Sequence, residues 1–528
     1  MTLLRTLTVL AVIAGSHCAG AATFIVDTSS DAALGDCNDA VAADCSLRGA
    51  IVTANALPGA DAIAFDLPIA DPGYQAGTQH WRIDAASSLP NIMEGLSIDG
   101  FTQAGATPNG NPPYAGIAHT LKIELRGPGN AADGLIAYAP LSVRGLAVNH
   151  WHFAIFHFNP GPNIVEGNYI GTDISGQLAA ANDYGIALGG DVRIGGATPA
   201  QGNVISANRN HGLANQYGLT SVRIQGNIIG ASADLTSVPG RQDFGAYLLS
   251  AQDTLIGGAM AAEGNVISGN GFAAVEIVAG ASQAQGLAPH VRIQGNRIGS
   301  GIDGRALGNG RASSYPAILV SLGGYCRTLI GGSAPGEGNA IVHNANAGIA
   351  IGSCWNAPIL GNTFHGNGGL AIDLAGSNAF DGATPNDTDD ADAAGNDPSI
   401  AAGGNRFQNF PVLTLPAGFL PSGGDSVTVD YTLDSLPGNS SYPITVQFHR
   451  AACGGGSAEL LAEAEIDEIN AQQPLQFTLN IGANVLPLTL LAIDAQGNTS
   501  EFGPVFGETL FADGLEQDPA SFSPGSCR

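Results

Sequence analysis

Hydrophobic and polar positions alternate along most of this chain in short runs, punctuated by glycine and asparagine. Gly185-Ile186-Ala187-Leu188, Val222-Arg223-Ile224, Val291-Arg292-Ile293 and Gly348-Ile349-Ala350-Ile351 are such runs. Period-two alternation over four to six residues, bounded by turn formers, predicts strands. Between them the same words return. Gly167-Asn168-Tyr169-Ile170-Gly171, Ile194-Gly195-Gly196 and Gly202-Asn203-Val204-Ile205 are followed by Gly226-Asn227-Ile228-Ile229-Gly230, Ile256-Gly257-Gly258 and Gly264-Asn265-Val266-Ile267. A third set is Gly295-Asn296-Arg297-Ile298-Gly299, Ile330-Gly331-Gly332 and Gly338-Asn339-Ala340-Ile341, and a last partial copy starts at Gly361-Asn362. Self-similarity of this kind is the signature of a solenoid. Three strand-and-turn words per step predict coils of roughly 20–25 residues, short for solenoid repeats. Gly and Asn tolerate the left-handed backbone of a sharp corner. Stacked Asn side chains are expected to hydrogen-bond from coil to coil, as in other stacked-strand ladders. The fold class is all-β: a right-handed parallel β-helix over residues 61–400.

The pattern changes at both ends. After Ser46, Leu47, Ala50, Ile51 and Ala54 share one helical face, and Pro58-Gly59 ends the run. Ser46 is a suitable N-cap. A helix here would cover the open end of the β-helix, where apolar core and strand edges are otherwise bare. From Ala401 onward, Val427–Tyr431, Ile444–Phe448, Leu475–Leu479 and Leu488–Ile493 are strands at sandwich-like spacing. The expected organisation is a leader at 1–21, an N-terminal cap at 22–60, the β-helix at 61–400, a β-sandwich at 401–510 and a tail at 511–528.

Several of these words together resemble a known group. Phe24-Ile25-Val26-Asp27, Cys45-Ser46-Leu47-Arg48 and Asn55-Ala56-Leu57-Pro58-Gly59-Ala60-Asp61 are similar to the N-terminal CSLREA-type domain of exported bacterial β-helix proteins of pectin-lyase-like shape. The resemblance continues through Ser97-Ile98-Asp99-Gly100-Phe101-Thr102-Gln103 and Gly369-Leu370-Ala371-Ile372-Asp373-Leu374, and closes on Asp494-Ala495-Gln496-Gly497-Asn498-Thr499-Ser500-Glu501-Phe502. It covers most of the chain after the leader. It implies architecture and export rather than a particular reaction. The sequence departs from the pattern at Gly49, where the group usually has Glu.

Composition narrows the function. The chain has 528 residues, a net charge of −27 and a single lysine, Lys122. That balance argues against nucleic acid or an anionic membrane as partner and suits divalent cations. Lysine Schiff-base chemistry and a Walker phosphate loop are excluded. Residues 1–21 read as a secretory signal peptide: an early Arg5, an apolar run from Leu7 to Ala14, and the small residues Ala19-Gly20-Ala21 before a cut near Ala21 or Ala22. A secreted or extracellular protein follows, with the cell surface as an alternative site and no lipid anchor. No later segment is apolar enough for a membrane span, and a monomer is expected. Removing the leader takes away Cys18 and leaves six cysteines in an oxidising compartment. Sequence neighbours suggest Cys37–Cys45, Cys326–Cys354 and Cys453–Cys527, one of fifteen possible pairings.

Three stretches carry candidate chemistry. The acidic run at Asp381–Asp397, with Asp387, Asp389, Asp390 and Asp392, supplies the oxygen donors that Ca²⁺ takes, without EF-hand spacing. The bland reading is a solvated linker. Trp151, Phe153, Phe156 and His157 lie in a ring-rich stretch of a chain that is only 6% aromatic. Such faces stack on sugar rings, although alternation should turn about half of them into the core. The third group is Asp173, Asp191, Arg193, Arg223, Asp253, Arg292, Arg297 and Asp303 on the coils. Arg223 and Arg292 are expected about three coils apart, ~15 Å at strand spacing. No HExxH, GxSxG or CxxC is present.

The leading expectation is a non-catalytic β-helix that binds extracellular glycan or another surface. The alternatives are a polysaccharide lyase or glycoside hydrolase of pectin-lyase-like type and a purely structural adhesion protein. A bare aromatic strip would favour binding; an acidic pair opposite an Arg in a groove would favour an enzyme.

Overall fold

In the computed structural model the chain is a parallel β-helix closed at one end by a helix and at the other by two small antiparallel sheets. The structure describes residues 20–129, 131–278, 290–321, 324–375, 382–388, 403–414, 426–452, 456–480 and 487–506. Each coil contributes a strand to each of three faces. One face stacks Leu96–Asp99, Leu141–Arg144, Asn163–Glu166, Thr254–Gly257, Val291–Gln294 and Thr328–Gly331. A second runs through Leu146–Asn149, Tyr169–Ile170, Val204–Ile205, Ile228–Ile229, Val266–Ile267, Arg297–Ile298 and Ala340–Val342. The third runs through Phe153–His157, Phe244–Leu249, Val275–Val278, Ile318–Ser321 and Ile349–Ile351. The long strands Tyr184–Gly195 and His211–Gln225 bend from the third face into the first. Inward residues of all three faces, such as Ile155, Ile186, Ile224, Ile256, Ile267 and Ile298, form one continuous core.

The coils are longer than the repeat words suggest. Asn168, Asn203, Asn227, Asn265, Asn296, Asn339 and Asn362 form a single ladder, each Oδ1 accepting from the backbone N–H and the Nδ2 of the Asn one coil earlier. The sequence separations along it are 35, 24, 38, 31, 43 and 23 residues. Each step between Gly-Asn-x-Ile-Gly words therefore holds two coils, not three. The Gly-Asn-Val-Ile words occupy the same corner as the Gly-Asn-x-Ile-Gly words, and the extra residues bulge outward as loops. Arg223, Leu255 and Arg292 are consequently consecutive rungs. The two arginines are two coils apart, about 10 Å at strand spacing, and not three.

A second ladder runs up the next corner: Asn182, Asn208, Gln242, Asn270, Asn309, Asn344 and Asn367. These amides sit in the core wall, where each polar atom needs a protein partner. Stacking supplies it.

Glycine is required where a coil corner touches its neighbour. Gly257 has φ +89°, and a Cβ there would lie 1.9 Å from the Gln294 carbonyl oxygen of the next coil. Gly257→Ala is expected to destabilise the protein by roughly 2–4 kcal/mol through clash and left-handed strain. Gly77→Ala, with nothing within 4 Å of the new methyl, should leave the urea midpoint nearly unchanged; equal shifts would show that the corner is not tight.

The N-terminal helix is Leu47–Ala56, and the Ser46 side chain accepts from the Gly49 N–H at 3.0 Å. Leu47, Ala50, Ile51 and Ala54 are buried against the first coils. A Cβ at Gly49 would fall 1.8 Å from the Leu34 carbonyl oxygen, so the loop folded over this helix leaves no room for the Glu of the CSLREA-type pattern. Cys37–Cys45 closes that loop and Cys326–Cys354 joins two late coils. Cys453 and Cys527 lie outside the described residues.

At the far end, Val412–Thr414, Ser426–Thr432 and Leu475–Asn480 form one antiparallel sheet, and Gly456–Ile466, Ile444–Ala452 and Leu488–Ile493 form the other. They enclose a separate core around Val429, Tyr431, Val446, Phe448, Leu479 and Leu490. The segment after the last strand plugs the solenoid. Asn498 Oδ1 accepts from Asn356 N–H, Thr499 Oγ1 from Ile359 N–H and Glu501 Oε1 from Leu374 N–H, at 2.9, 3.0 and 2.9 Å. The Asn-Thr-Ser-Glu word thus satisfies donors that an open β-helix end would leave bare. Among the described residues no helix is long and apolar enough to cross a membrane.

Candidate ligand-binding face

The third face carries the ring-rich stretch, whose residues divide between the core and the outer surface. Trp151 is completely buried in the core, its Nε1 donating to the Leu125 carbonyl at 3.2 Å. His157 aligns with Ala137, also points inward and is fully buried. Desolvation lowers its pKa to about 4, so the imidazole is neutral. Neither side chain reaches a ligand. Phe153 and Phe156 are outside the coil and pack with Phe158, Ile136 and Ala187.

These two phenylalanines are the start of a longer structure. Phe153 is in register with Tyr184, Tyr184 with His211, and His211 with Phe244. Ring centroids along this column are 4.8, 5.5 and 5.2 Å apart. Phe244 then meets Phe272 and Tyr315 at 5.2 and 5.6 Å, and Phe272 stacks on Tyr315. Below Phe153, Phe156, Phe158 and Tyr138 extend the strip, Tyr138 stacking on Phe158 at 5.1 Å and standing 46% exposed. From the Leu135–Ala137 rung to the Ile318–Ser321 rung the strip spans roughly 30 Å. Phe153, Tyr184, His211, Phe272 and Tyr315 are all part-exposed.

A polar rim runs beside the Phe153–Tyr184–His211–Phe244 column, because His152, Asp183, Asn210 and Asp243 precede its four rings. His152 pairs with Asp133 at 3.1 Å, Asp183 with Arg209 at 2.8 Å and Asp243 with Arg241 at 2.7 Å. Burial lowers the His211 pKa and raises those of Tyr247 and Tyr315, so these rings are uncharged at neutral pH. On the adjoining column, Tyr247 aligns with Glu276 and Glu276 with Leu319. Glu276 is 7% exposed, its Oε2 has no hydrogen-bond partner, and desolvation raises its pKa to about 7.

Sequence reading missed Tyr184, His211, Phe244, Tyr247, Phe272, Tyr315 and Glu276. A signal existed: Asp183-Tyr184-Gly185, Asn210-His211-Gly212 and Asp243-Phe244-Gly245 repeat a polar residue, a ring and a glycine. The glycine is needed because a Cβ at Gly185 or Gly245 would meet the next coil's carbonyl at 2.5 or 2.4 Å.

The remaining candidates do not converge on this face. Arg193 pairs with Glu166, and Arg223 with Asp253. Arg297 lies 4.0 Å over the Tyr114 ring, and Asp173 closes its own turn through Ser175, Gln177 and Leu178. Of the acidic run, Asp387 is described: its N–H and carbonyl bond the Asn409 side chain, while Asp389, Asp390 and Asp392 lie outside the described residues. Among the described residues no group of three or more His, Cys, Asp or Glu side chains is placed to hold a metal ion.

No protein-family model matches the sequence, and no curated protein matches it. Two solved structures similar in fold are A-modules of mannuronan C-5 epimerases from Azotobacter vinelandii. AlgE4 is 15% identical with a TM-score of 0.31, covering 65% of this chain and 95% of the module. AlgE6 is 14% identical with a TM-score of 0.27, covering 64% and 95%.

Proposed function

We propose that the protein binds an extended, uncharged glycan along the aromatic strip of the third face. The observation that carries this reading is the ring column Phe153–Tyr184–His211–Phe244, with Phe272 and Tyr315 beyond it. Rings set one above another at the coil repeat, stacked at Phe153–Tyr184 and edge to face beyond it, offer an extended chain of sugars a hydrophobic platform. The rim of amide and ion-paired groups supplies hydrogen bonds to hydroxyls. A net charge of −27 disfavours polyanionic chains.

A second reading, polysaccharide cleavage, draws on Glu276. A carboxyl that stays protonated near neutrality has the chemistry of a general acid. Along its own column the next carboxyl is Asp373, three rungs further through Leu319 and Ala350, or about 14 Å. That exceeds the ~5–10 Å of a hydrolase pair, which makes binding the preferred account.

The test is a binding titration over soluble neutral and anionic oligosaccharides, with and without Ca²⁺, alongside an assay for new sugar ends. Tyr184→Ala and Phe244→Ala are each expected to weaken binding roughly 5–30-fold, from about 1–2 kcal/mol per ring. Ile469→Ala, an 87% exposed residue in the C-terminal domain, should change nothing. Binding that ignores both ring variants overturns the proposal, and turnover would select the second reading.

A further inference from the structure

The first strand, Thr23–Val26, pairs with Asp61–Phe65, and a buried carboxylate stands where it begins. Asp61 is 3% exposed. Its Oδ1 accepts from the Ala22 backbone nitrogen at 2.8 Å, while its Oδ2 is sealed from solvent without any hydrogen-bond partner. A buried acid satisfied by one amide N–H on one oxygen is poorly compensated. Ala22 is part-buried and packs against the core, and its carbonyl accepts from Ala62 N–H at 2.8 Å. Immediately before it the surroundings change: Gly20 and Ala21 are exposed, and a Cβ at Gly20 would have nothing within 4 Å.

We infer that Asp61 is a binding site for a free α-ammonium at residue 22, created by proteolytic removal of everything through Ala21. Hydrolysis of the Ala21–Ala22 amide by a leader-removing peptidase adds the water hydroxyl to the Ala21 carbonyl carbon. The C–N bond breaks, and the released Ala22 nitrogen takes up protons to become an ammonium. The nitrogen already lies at Oδ1, and its new N–H bonds and positive charge reach the orphaned Oδ2. A half-satisfied buried acid becomes a charge-paired, doubly hydrogen-bonded one. Export processing and the locking of the first coil are then one event: the N-terminal cap attains full stability only after the leader has gone. The same placement makes the cut position-specific, since a terminus at Ala21 or Thr23 would set the ammonium about one residue away from the carboxylate.

N-terminal sequencing of the exported protein is expected to give Ala22-Thr23-Phe24; a start at any other residue overturns the inference. The energetic test compares two forms released from cleavable fusions, one starting at Ala22 and one at Gly20, each with Asp61 and with Asp61→Asn. The Ala22 form should melt roughly 1–3 °C higher, and the gap should vanish in the Asp61→Asn pair. Should Asp61→Asn fail to fold, Nα-acetylation of the Ala22 form replaces it and should bring its midpoint down to that of the Gly20 form. Equal midpoints for the two unmodified forms, or a gap that survives Asp61→Asn or acetylation, would reject the ion pair.

Discussion

Replacing Asn265 with leucine should destabilise the β-helix by roughly 3–5 kcal/mol, at the upper end of what single substitutions do. Asn265 is fully buried at mid-ladder. Its Oδ1 accepts from both the N–H and the Nδ2 of Asn227 at 3.0 Å. Its Nδ2 donates to the Ile224 carbonyl at 2.7 Å and to Asn296 Oδ1 at 2.9 Å. Leucine matches the volume but takes the side-chain acceptor from the Asn227 N–H and the Nδ2 donor from the Ile224 carbonyl, in a core wall where each such loss is about 1–3 kcal/mol. Asn227 Nδ2 keeps the Ile194 and Gln225 carbonyls and Asn296 Oδ1 keeps the residue 265 N–H, so these two lose one bond each. Asn367→Leu is the comparison. It ends the second ladder, is part-buried, and accepts from Asn344, so water can replace much of what it loses; about 1 kcal/mol is expected. Urea unfolding of the two variants measures the difference. Equal effects would mean that the ladder is a by-product of the corner shape rather than a source of its stability.

The second large effect is a fall in stability as pH rises from about 4.5 to about 7, traced to Glu501. This carboxyl is 3% exposed in the plug between the last coil and the C-terminal domain. Desolvation, reinforced by Asp373, raises its pKa to about 7 against the opposing hydrogen bonds from Leu374 and Thr384. Below the unfolded pKa, near 4.5, both states are protonated and the plug keeps its full contribution. Between 4.5 and 7 the unfolded chain ionises while the folded one stays neutral, and stability is lost until the folded group ionises too. A shift of this size corresponds to about 3 kcal/mol. Glu276, also raised to about 7 by desolvation, adds a smaller loss over the same window because solvent screens it more. Thermal midpoints from pH 4.5 to 8 should therefore fall and then level. In Glu501→Gln the midpoint starts lower, since an amide nitrogen faces a backbone N–H, but most of the slope disappears. An unchanged slope would remove Glu501 as its source.

The repeat words made the architecture legible because their physics is local. An Ile that must face inward, a Gly that must turn left-handed and an Asn that must find a partner above and below leave marks at fixed places in each coil. Coil length was misread for the same reason: Gly202-Asn203-Val204-Ile205 and Gly226-Asn227-Ile228-Ile229 differ in spelling but occupy one corner. Which corner a word sits on is set by the coil beneath it. Ser46 and its helix could be placed from sequence. The reason for Gly49 could not, because the Leu34 carbonyl that excludes a side chain comes from a loop folded back across the helix.

For the site, the ring-rich stretch at Trp151–Phe158 lies on the face that carries the aromatic strip, but it divides against simple alternation, with Trp151 and His157 inward and Phe153 and Phe156 outside. The rest of the strip comes from Tyr184, His211, Phe244, Phe272 and Tyr315, single rings dispersed over more than 130 residues of sequence. By itself the sequence determined that the chain coils, what lines its core and how its turns are made, since each depends on residues within a few positions of one another. Only the tertiary structure decided that isolated rings become one continuous strip and that Asp61 lies against Ala22. Stacking places residues one coil apart at strand distance, while loops of varying length hide that register from any fixed sequence spacing.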